Sequence, residues 1–276
     1  MVNAVLYGFF LAKGRKFVRE KAKYALAIAV PLIPHSLSGN ILAKSDQFMI
    51  KRYCGNADLA LYSFAYDCSL VVSILSTSVN QAYVPWLYRK IKEDHLKEID
   101  QQARQLFILF LIPILGVMLV GPEIVYILGG QKYADSVYLI PIIMSGYCFR
   151  FLYTYYVNIE LYCKKTVIIS TATMLAAVLN IILNFLWIPR YGYAVAAMTT
   201  AISFIALYLF HYAVVKQTPY FNLYQHKKLF VDVLIFLLCA FGIECLYFIS
   251  LFRYVVILIY VLYLFFVAFK WFFKSK

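Results

Sequence analysis

The sequence predicts an all-α, polytopic membrane helix bundle of about eight transmembrane helices, and three observations carry that prediction. Of the 276 residues, 64% are hydrophobic and only 14% are charged, whereas soluble domains carry about 25% charged residues. Apolar runs long enough to cross a bilayer, which takes roughly 20 residues each, recur along the whole chain. The basic residues fall in alternate connections between these runs. Together these observations exclude a soluble globular domain.

The predicted helices set the domain organisation. They cover 24–50, 59–88, 105–128, 136–162, 166–188, 193–215, 229–250 and 252–272. The first six form a bundle over 24–215, and an aromatic and basic connector at 216–228 is typical of an interfacial segment. Two additional helices and a basic tail follow at 229–276. Residues 1–23 hold an apolar stub, Val2–Leu11, and a basic loop; the stub is too short to span at 1.5 Å per residue and is interpreted as the remnant of an earlier helix.

The lysines and arginines predict the orientation. Nineteen of the 26 lie in alternate loops and the tail, five lie in the opposite loops, and Lys44 and Arg150 lie inside helices. The positive-inside rule places the nineteen, and the C-terminus with them, on the cytoplasmic side of the cytoplasmic (inner) membrane. The net charge of +13 is then mainly a signal of topology. Nucleic-acid binding is not expected, because no soluble basic surface is available.

No constellation of residues predicts a catalytic centre, a metal site or a cofactor. The six cysteines are scattered singly, without a CxxC motif or a Cys–His pair at ligand spacing. His95 and Asp100 have the HxxxxD spacing of a base and its orienting carboxylate, which leaves a membrane acyltransferase as an alternative. The pair lies in a charged connector, where coincidence is more frequent than chemistry. The sequence therefore predicts a protein that is not an enzyme.

The first predicted helix carries polar and charged groups whose contact with lipid is energetically unfavourable. A central Lys or Asp costs about 2.5–3.5 kcal/mol on insertion scales, so His35, Lys44 and Asp46 are expected to face other helices or a wet cavity. Alternatively, the Lys44 side chain extends along the helix and places its ammonium group at the membrane interface. His35, which shares a face with Asp46 and Gly39, has a hydrogen bond to a neighbouring helix as its alternative.

Polar residues also follow one face of the second helix, at spacings of four, three and four. They are Ser69, Ser73, Ser76 and Asn80. Gln81 lies beside this stripe and Asp67 enters it. Two interpretations are open, hydrogen bonding between helices or the wall of a polar cavity. On the fifth helix, Asn180 and Asn184 at i and i+4 are expected to hold helices together.

Arg150 is the strongest single candidate for contact with a substrate. It lies near the bilayer centre, in the tyrosine-rich run FRFLYTYYVN, and an arginine side chain does not lose its proton. A fixed cation there would suit a phosphate or an acidic sugar. The alternative is a structural ion pair with a carboxylate such as Asp67. Glu160 and Glu244 lie near helix ends and are predicted to be interfacial.

Five segments resemble a known family in their order along the chain. They read PLIPHSLSGNILAKSDQFMIKRYCGNADLALYSFAYD, NQAYVPWLY, EIVYILGGQKYADS, NIILN and IPRYGYAVAAMTTAIS. In this order they resemble the polysaccharide (O-antigen type) flippases, of the superfamily that also contains the multidrug and toxin extrusion transporters. The resemblance covers only the C-terminal part of that family. Its members have two six-helix bundles around a central cavity, often with two further helices.

The resemblance implies a flippase that moves a lipid-linked oligosaccharide, carried on an undecaprenyl-type pyrophosphate, across the membrane for surface polysaccharide or lipopolysaccharide. The family's cavity is associated with cations, and Lys44 and Arg150 are the matching positions. Asp46, Asp67 and His35 are the candidates for coupling to sodium or protons. Implied partners are the bilayer, a missing N-terminal bundle or a second copy, and polysaccharide assembly proteins. A drug–cation antiporter and an inactive truncated remnant are the alternatives.

Overall fold

The computed structural model describes Arg19–Lys274, and within this range the chain is helical between its turns, with no strand. The α-helices are α1 (Arg19–Tyr53), α2 (Asn56–Lys92), α3 (Leu96–Leu119), α4 (Gly121–Gly129), α5 (Leu139–Tyr162), α6 (Thr166–Tyr191), α7 (Val195–Val215), α8 (His226–Leu246) and α9 (Ser250–Lys274). Two 3₁₀ helices lie at Gln131–Tyr138 and Phe221–Leu223. The predicted all-α bundle is confirmed, whereas the stub Val2–Leu11 lies outside the described residues.

Six of the described helical segments are long and apolar enough to cross a membrane. They are α2, α3, Gln131–Tyr162, α6, α7 and α8. The other two predicted spans are also helical, but α1 is not among the six, and its sequence carries Lys44, Asp46 and two prolines. The apolar stretch of α9, Ser250–Phe266, is shorter.

The third predicted helix differs from the observed one at both ends. Helix α3 begins at Leu96 rather than near residue 105, and α2 continues to Lys92. The charged connector is therefore mostly helical, as predicted, and only Glu93–His95 form the turn. At the other end the helix breaks at Val120, because Pro122 follows in the first turn of α4 and has no backbone N–H to donate.

Very short turns make consecutive helices antiparallel neighbours. Cys54 and Gly55 join α1 to α2, and Gly192 ends α6. Gly55 has φ 95° and Gly192 has φ 80°, a left-handed conformation that glycine adopts without a steric penalty. At both turns the two helices that are joined are in contact.

Helix α5 lies at the centre of the bundle, with α2, α3, α7 and α8 packed around it, while α1 packs mainly on α6. The core beside α5 is aromatic: the rings of Phe110 and Phe151 stack with centroids 4.0 Å apart. The connector before α8 joins this core, since Tyr224 is buried and stacks on Tyr155 at 5.4 Å. Within the connector 216–228, which is predicted to be interfacial, Thr218, Leu223 and Tyr224 are thus buried.

Two ion pairs fix the last two helices to α3 and α4. Arg104 of α3 donates to both carboxylate oxygens of Asp232 in α8, at 2.7 and 2.9 Å. Arg253 of α9 donates to Glu123 of α4, at 2.5 and 3.2 Å. Because a bidentate pair is geometrically specific, these contacts set the position of α8 and α9 along the bundle.

Candidate functional site

Arg150 is the twelfth of the 24 residues of α5, and its guanidinium is only half-buried. Nη1 donates to the Ser73 hydroxyl of α2 at 3.1 Å, and the guanidinium carbon lies 5.4 Å from the centre of the Tyr147 ring. No ion pair joins it to a carboxylate in the described part of the chain, and Asp67 is exposed. The alternative of a structural pair with Asp67 is therefore wrong.

The tyrosines that follow Arg150 do not surround it. Tyr155 donates to the backbone carbonyl of Ala103, and Tyr156 bonds to His226, so both rings are directed towards α3 and α8. The aromatic neighbour of Arg150 is Tyr147, one turn earlier on the same helix. An anion at this position would meet the guanidinium and the Ser73 hydroxyl.

Helices α1 and α2 have different partners beyond their turn. Near the turn they are joined by a hydrogen bond from Tyr62 to Asp46. Further along, α1 bonds to α6, where His35 meets Thr173 at 2.7 Å. Helix α2 instead packs on α5, where Ser73 bonds to Arg150.

Asp46 is fully buried near the turn between α1 and α2 and is the centre of a polar network. Its carboxylate accepts hydrogen bonds from Tyr62, from the backbone N–H of Gln47 at 2.9 Å and from Thr200 at 3.3 Å. Asn180 donates to Thr200 at 3.1 Å and accepts from Ser45 at 2.7 Å. A buried carboxylate needs such donors, because an unpaired one is costly.

The network continues along α6 through the two asparagines that are predicted to hold helices together. Asn184 donates to Asn180 at 3.1 Å and accepts a hydrogen bond from Thr199 of α7. Asn180 and Asn184 thus connect α1, α6 and α7. Lys44 lies outside this network and is exposed, two residues from the buried Asp46.

The polar residues along α2 differ in burial and in hydrogen-bond partners. Ser69 is buried but donates to Ala65 of its own helix at 2.9 Å, so the predicted bond between helices is wrong there. Asn80 accepts from Asn158 of α5 at 2.8 Å, which supports the hydrogen-bonding interpretation. Ser76 is buried, whereas Gln81 and Asp67 are exposed.

The structure reveals one polar pair that the sequence prediction missed. Glu160 of α5 and His211 of α7 are both 0% exposed, and the His211 Nδ1 lies 2.9 and 3.0 Å from the two carboxylate oxygens. The predicted interfacial position of Glu160 is therefore wrong, because α7 covers this end of α5. The two residues are 51 positions apart, and no motif connects them.

The HxxxxD pair is not assembled as a catalytic unit. The exposed His95 lies 3.2 Å from Lys90 and 3.2 Å from Glu98. Asp100 accepts a hydrogen bond from the backbone N–H of Gln225 at 2.7 Å. Its carboxylate therefore holds the connector before α8 and does not orient His95.

Comparisons with known proteins agree with this architecture. Residues 2–91 match the model of a family described as polysaccharide biosynthesis protein. Lsg locus protein 1 of Haemophilus influenzae is 30% identical over 161 residues, which are 57% of this chain and 40% of that protein. A second membrane protein of that organism is 27% identical over 159 residues, 56% of this chain and 39% of that protein.

The capsular polysaccharide biosynthesis protein CapF of Staphylococcus aureus is 22% identical over 197 residues, 70% of this chain and 50% of that protein. This chain thus spans half or less of the length of each of these relatives. No solved structure matches it significantly. The resemblance carried by the sequence motifs is confirmed as a similarity, over part of the chain, to membrane and polysaccharide biosynthesis proteins.

Proposed function

We propose that this chain is part of a transporter that moves a lipid-linked oligosaccharide from one leaflet of the cytoplasmic membrane to the other, for surface polysaccharide biosynthesis. The observation that carries the proposal is Arg150, a half-buried cation in mid-helix with a hydroxyl and an aromatic ring beside it. Among the residues from Arg19 to Lys274, no carboxylate forms an ion pair with it. A guanidinium in that setting is complementary to phosphate. The names of the relatives support polysaccharide as the cargo.

In this proposal the substrate reaches Arg150 from between α1 and α2, which have different partners beyond their turn. The sugar head would pass there while its lipid chain stays in the bilayer, and rocking of one bundle against another would expose each side in turn. Of the three candidates for ion coupling, Asp46 and His35 lie inside the bundle, whereas Asp67 is exposed. Asp46 and His35 therefore remain the candidates.

A partner is part of the proposal. Lys44, Asp67 and Gln81 are exposed on α1 and α2, so the proposed cavity needs a second wall. A further bundle, a second copy of this chain or a separate polypeptide would supply it.

Substitution of Arg150 tests the proposal in a strain that lacks its own flippase. Arg150→Ala is expected to abolish export of surface polysaccharide while the protein stays in the membrane at a normal level. Arg150→Lys should restore part of the export, because lysine keeps the positive charge but lacks the bidentate hydrogen-bonding geometry of the guanidinium. Arg190→Ala, at the exposed end of α6, is the matched control and should export normally. Unchanged export by Arg150→Ala would refute the assignment, as would loss of the protein itself.

A further inference from the structure

The buried pair of Glu160 and His211 has features of a site that exchanges a proton. Both side chains are completely shielded, and the imidazole uses Nδ1 to contact the two carboxylate oxygens. The other ring nitrogen, Nε2, has no hydrogen-bond partner in the described structure. A purely structural histidine is normally bonded at both nitrogens, since an unpaired buried polar atom costs about 1–3 kcal/mol.

The surroundings place few charges around the pair. Tyr153 of α5 stacks on the imidazole with centroids 5.8 Å apart, and Phe210 of α7 meets it edge-on at 6.0 Å. From α1, His35 lies within electrostatic range of His211. Helix α6 contributes the hydroxyl of Thr173, which bonds to His35.

The remaining titratable groups lie at the end of α5 and on α7. The turn after α5 holds Cys163, Lys164 and Lys165, and Cys163 is within electrostatic range of Glu160. On α7, Tyr208 and Tyr212 point to the other side, towards Tyr156. Lys164 in this turn is the exposed residue nearest to Glu160 along the chain.

We propose that Glu160 and His211 form a proton-binding site that loads and releases one proton through the Cys163–Lys165 turn during the transport cycle. The inference rests on the proposed transporter function and adds a site of ion coupling to it. In the described arrangement one proton is shared between a carboxylate oxygen and Nδ1. A second proton, taken from water, adds to the pair, so that the carboxyl is neutral and the imidazole keeps its proton, or the imidazole carries two.

The unpartnered Nε2 of His211 links proton uptake by the pair to a movement of helices. An imidazole with two protons needs an acceptor at each nitrogen, and the described arrangement offers one only at Nδ1. Proton uptake therefore favours an arrangement in which Nε2 reaches water or the side of α1 that carries His35. Pro31 and Pro34 interrupt the backbone hydrogen bonds of that helix. A shift of α1 relative to α7 is the expected consequence.

Infrared difference spectroscopy on the purified full chain tests the site without any transport assay. As the pH falls, the carboxyl bands of Glu160 should change: the band of a protonated acid appears if the carboxyl takes the proton, and the carboxylate bands shift if the imidazole beside it does. Either change should be absent from the difference spectrum of Glu160→Gln. Glu244→Gln is the matched control, a glutamate in α8 outside the pair, and should retain the change. Superimposable difference spectra of the unchanged protein and Glu160→Gln would overturn the proposal.

A second variant tests the sharing of the proton. His211→Gln should shift the midpoint of the Glu160 band by at least about one pH unit, the size that defines coupled groups. An unchanged midpoint would overturn the shared site. His211→Gln keeps the carboxyl, so it also replaces Glu160→Gln if that variant does not accumulate in the membrane.

Export of polysaccharide then separates this inference from the function on which it rests. Glu160→Gln should remove the dependence of export on the proton gradient. A band that titrates in a protein that exports nothing would support the proton site and refute the transporter. Gradient-dependent export that Glu160→Gln leaves unchanged would support the transporter and overturn the proton site.

Discussion

Removal of the Asp46 carboxylate is expected to destabilise the protein mainly through the group that it leaves behind. Tyr62 is 0% exposed, and its hydroxyl donates to Asp46. In Asp46→Ala this hydroxyl loses its acceptor inside the bundle, at a cost of about 1–3 kcal/mol. In Tyr62→Phe the Asp46 carboxylate keeps its donors Gln47 and Thr200 but loses the hydrogen bond from the Tyr62 hydroxyl. A hydrogen bond to a charged group is worth about 1.5–3 kcal/mol.

The double variant separates this network from ordinary packing. Asp46→Ala with Tyr62→Phe leaves neither the Tyr62 hydroxyl without its acceptor nor an under-bonded carboxylate. The Thr200 hydroxyl loses its acceptor in both variants that lack Asp46, so that cost cancels from the comparison. Its loss of stability should therefore be smaller than the sum of the single losses by about 1–3 kcal/mol. The free energy of unfolding, measured by titration with denaturing detergent in mixed micelles, gives all three values.

The control is a tyrosine variant at an exposed position, and additive losses would be the refuting result. Tyr191→Phe, at an exposed position at the end of α6, should change the free energy of unfolding by less than about 0.5 kcal/mol. If the losses of the Asp46 and Tyr62 variants add to within about 0.5 kcal/mol, the two side chains are not coupled. The assignment of Asp46 as the centre of the network would then be wrong.

Two further predictions use other parts of the chain. Cys54 is expected to react with an impermeant thiol reagent added outside intact cells. A cysteine introduced by Lys274→Cys is expected not to react. The opposite pattern would show that the topology is reversed. Burial, with Asp58 as a second cause, raises the pKa of the Cys54 thiol, so less thiolate is present at neutral pH and labelling should accelerate as the pH rises from about 7 to 9. Arg104→Ala strands the carboxylate of Asp232, which is 8% exposed, and should cost about 1–3 kcal/mol of unfolding free energy. Asp232→Ala should cost less than about 1 kcal/mol, because Arg104 is 39% exposed and reaches water; equal losses would contradict this account.

The sequence was sufficient for the fold class because the bilayer imposes a simple constraint. Backbone groups in hydrocarbon must bond within their own segment, so long apolar runs can only be helices or barrel strands. The prediction for Asn180 and Asn184 has a similar basis, since two amides on one helical face have to find partners, and Asn180 bonds to Thr200 of α7. Their partners, Thr199 and Thr200, could not be read from the sequence.

The burial of Glu160 could not be predicted, because it depends on which helix covers the end of α5. A glutamate two residues from a helix end lies at the interface if that end is bare. Here α7 packs along α5 and brings His211 to the carboxylate. Only the three-dimensional path of α7 shows that an imidazole is available, and the same holds for the half-buried Ser73 beside Arg150.

The division of the polar residues into two groups is the physical argument for a partner. Asp46, Asn180 and Asn184 are buried and bonded to one another through several helices, so they need nothing further. Lys44 and Asp67 are exposed on α1 and α2. In contact with lipid each would cost about 2.5–3.5 kcal/mol or more near the bilayer centre, which snorkelling offsets only in part. A wet cavity closed by a second bundle removes that cost for both residues at once, and it opens the approach to Arg150 that the proposed transport requires.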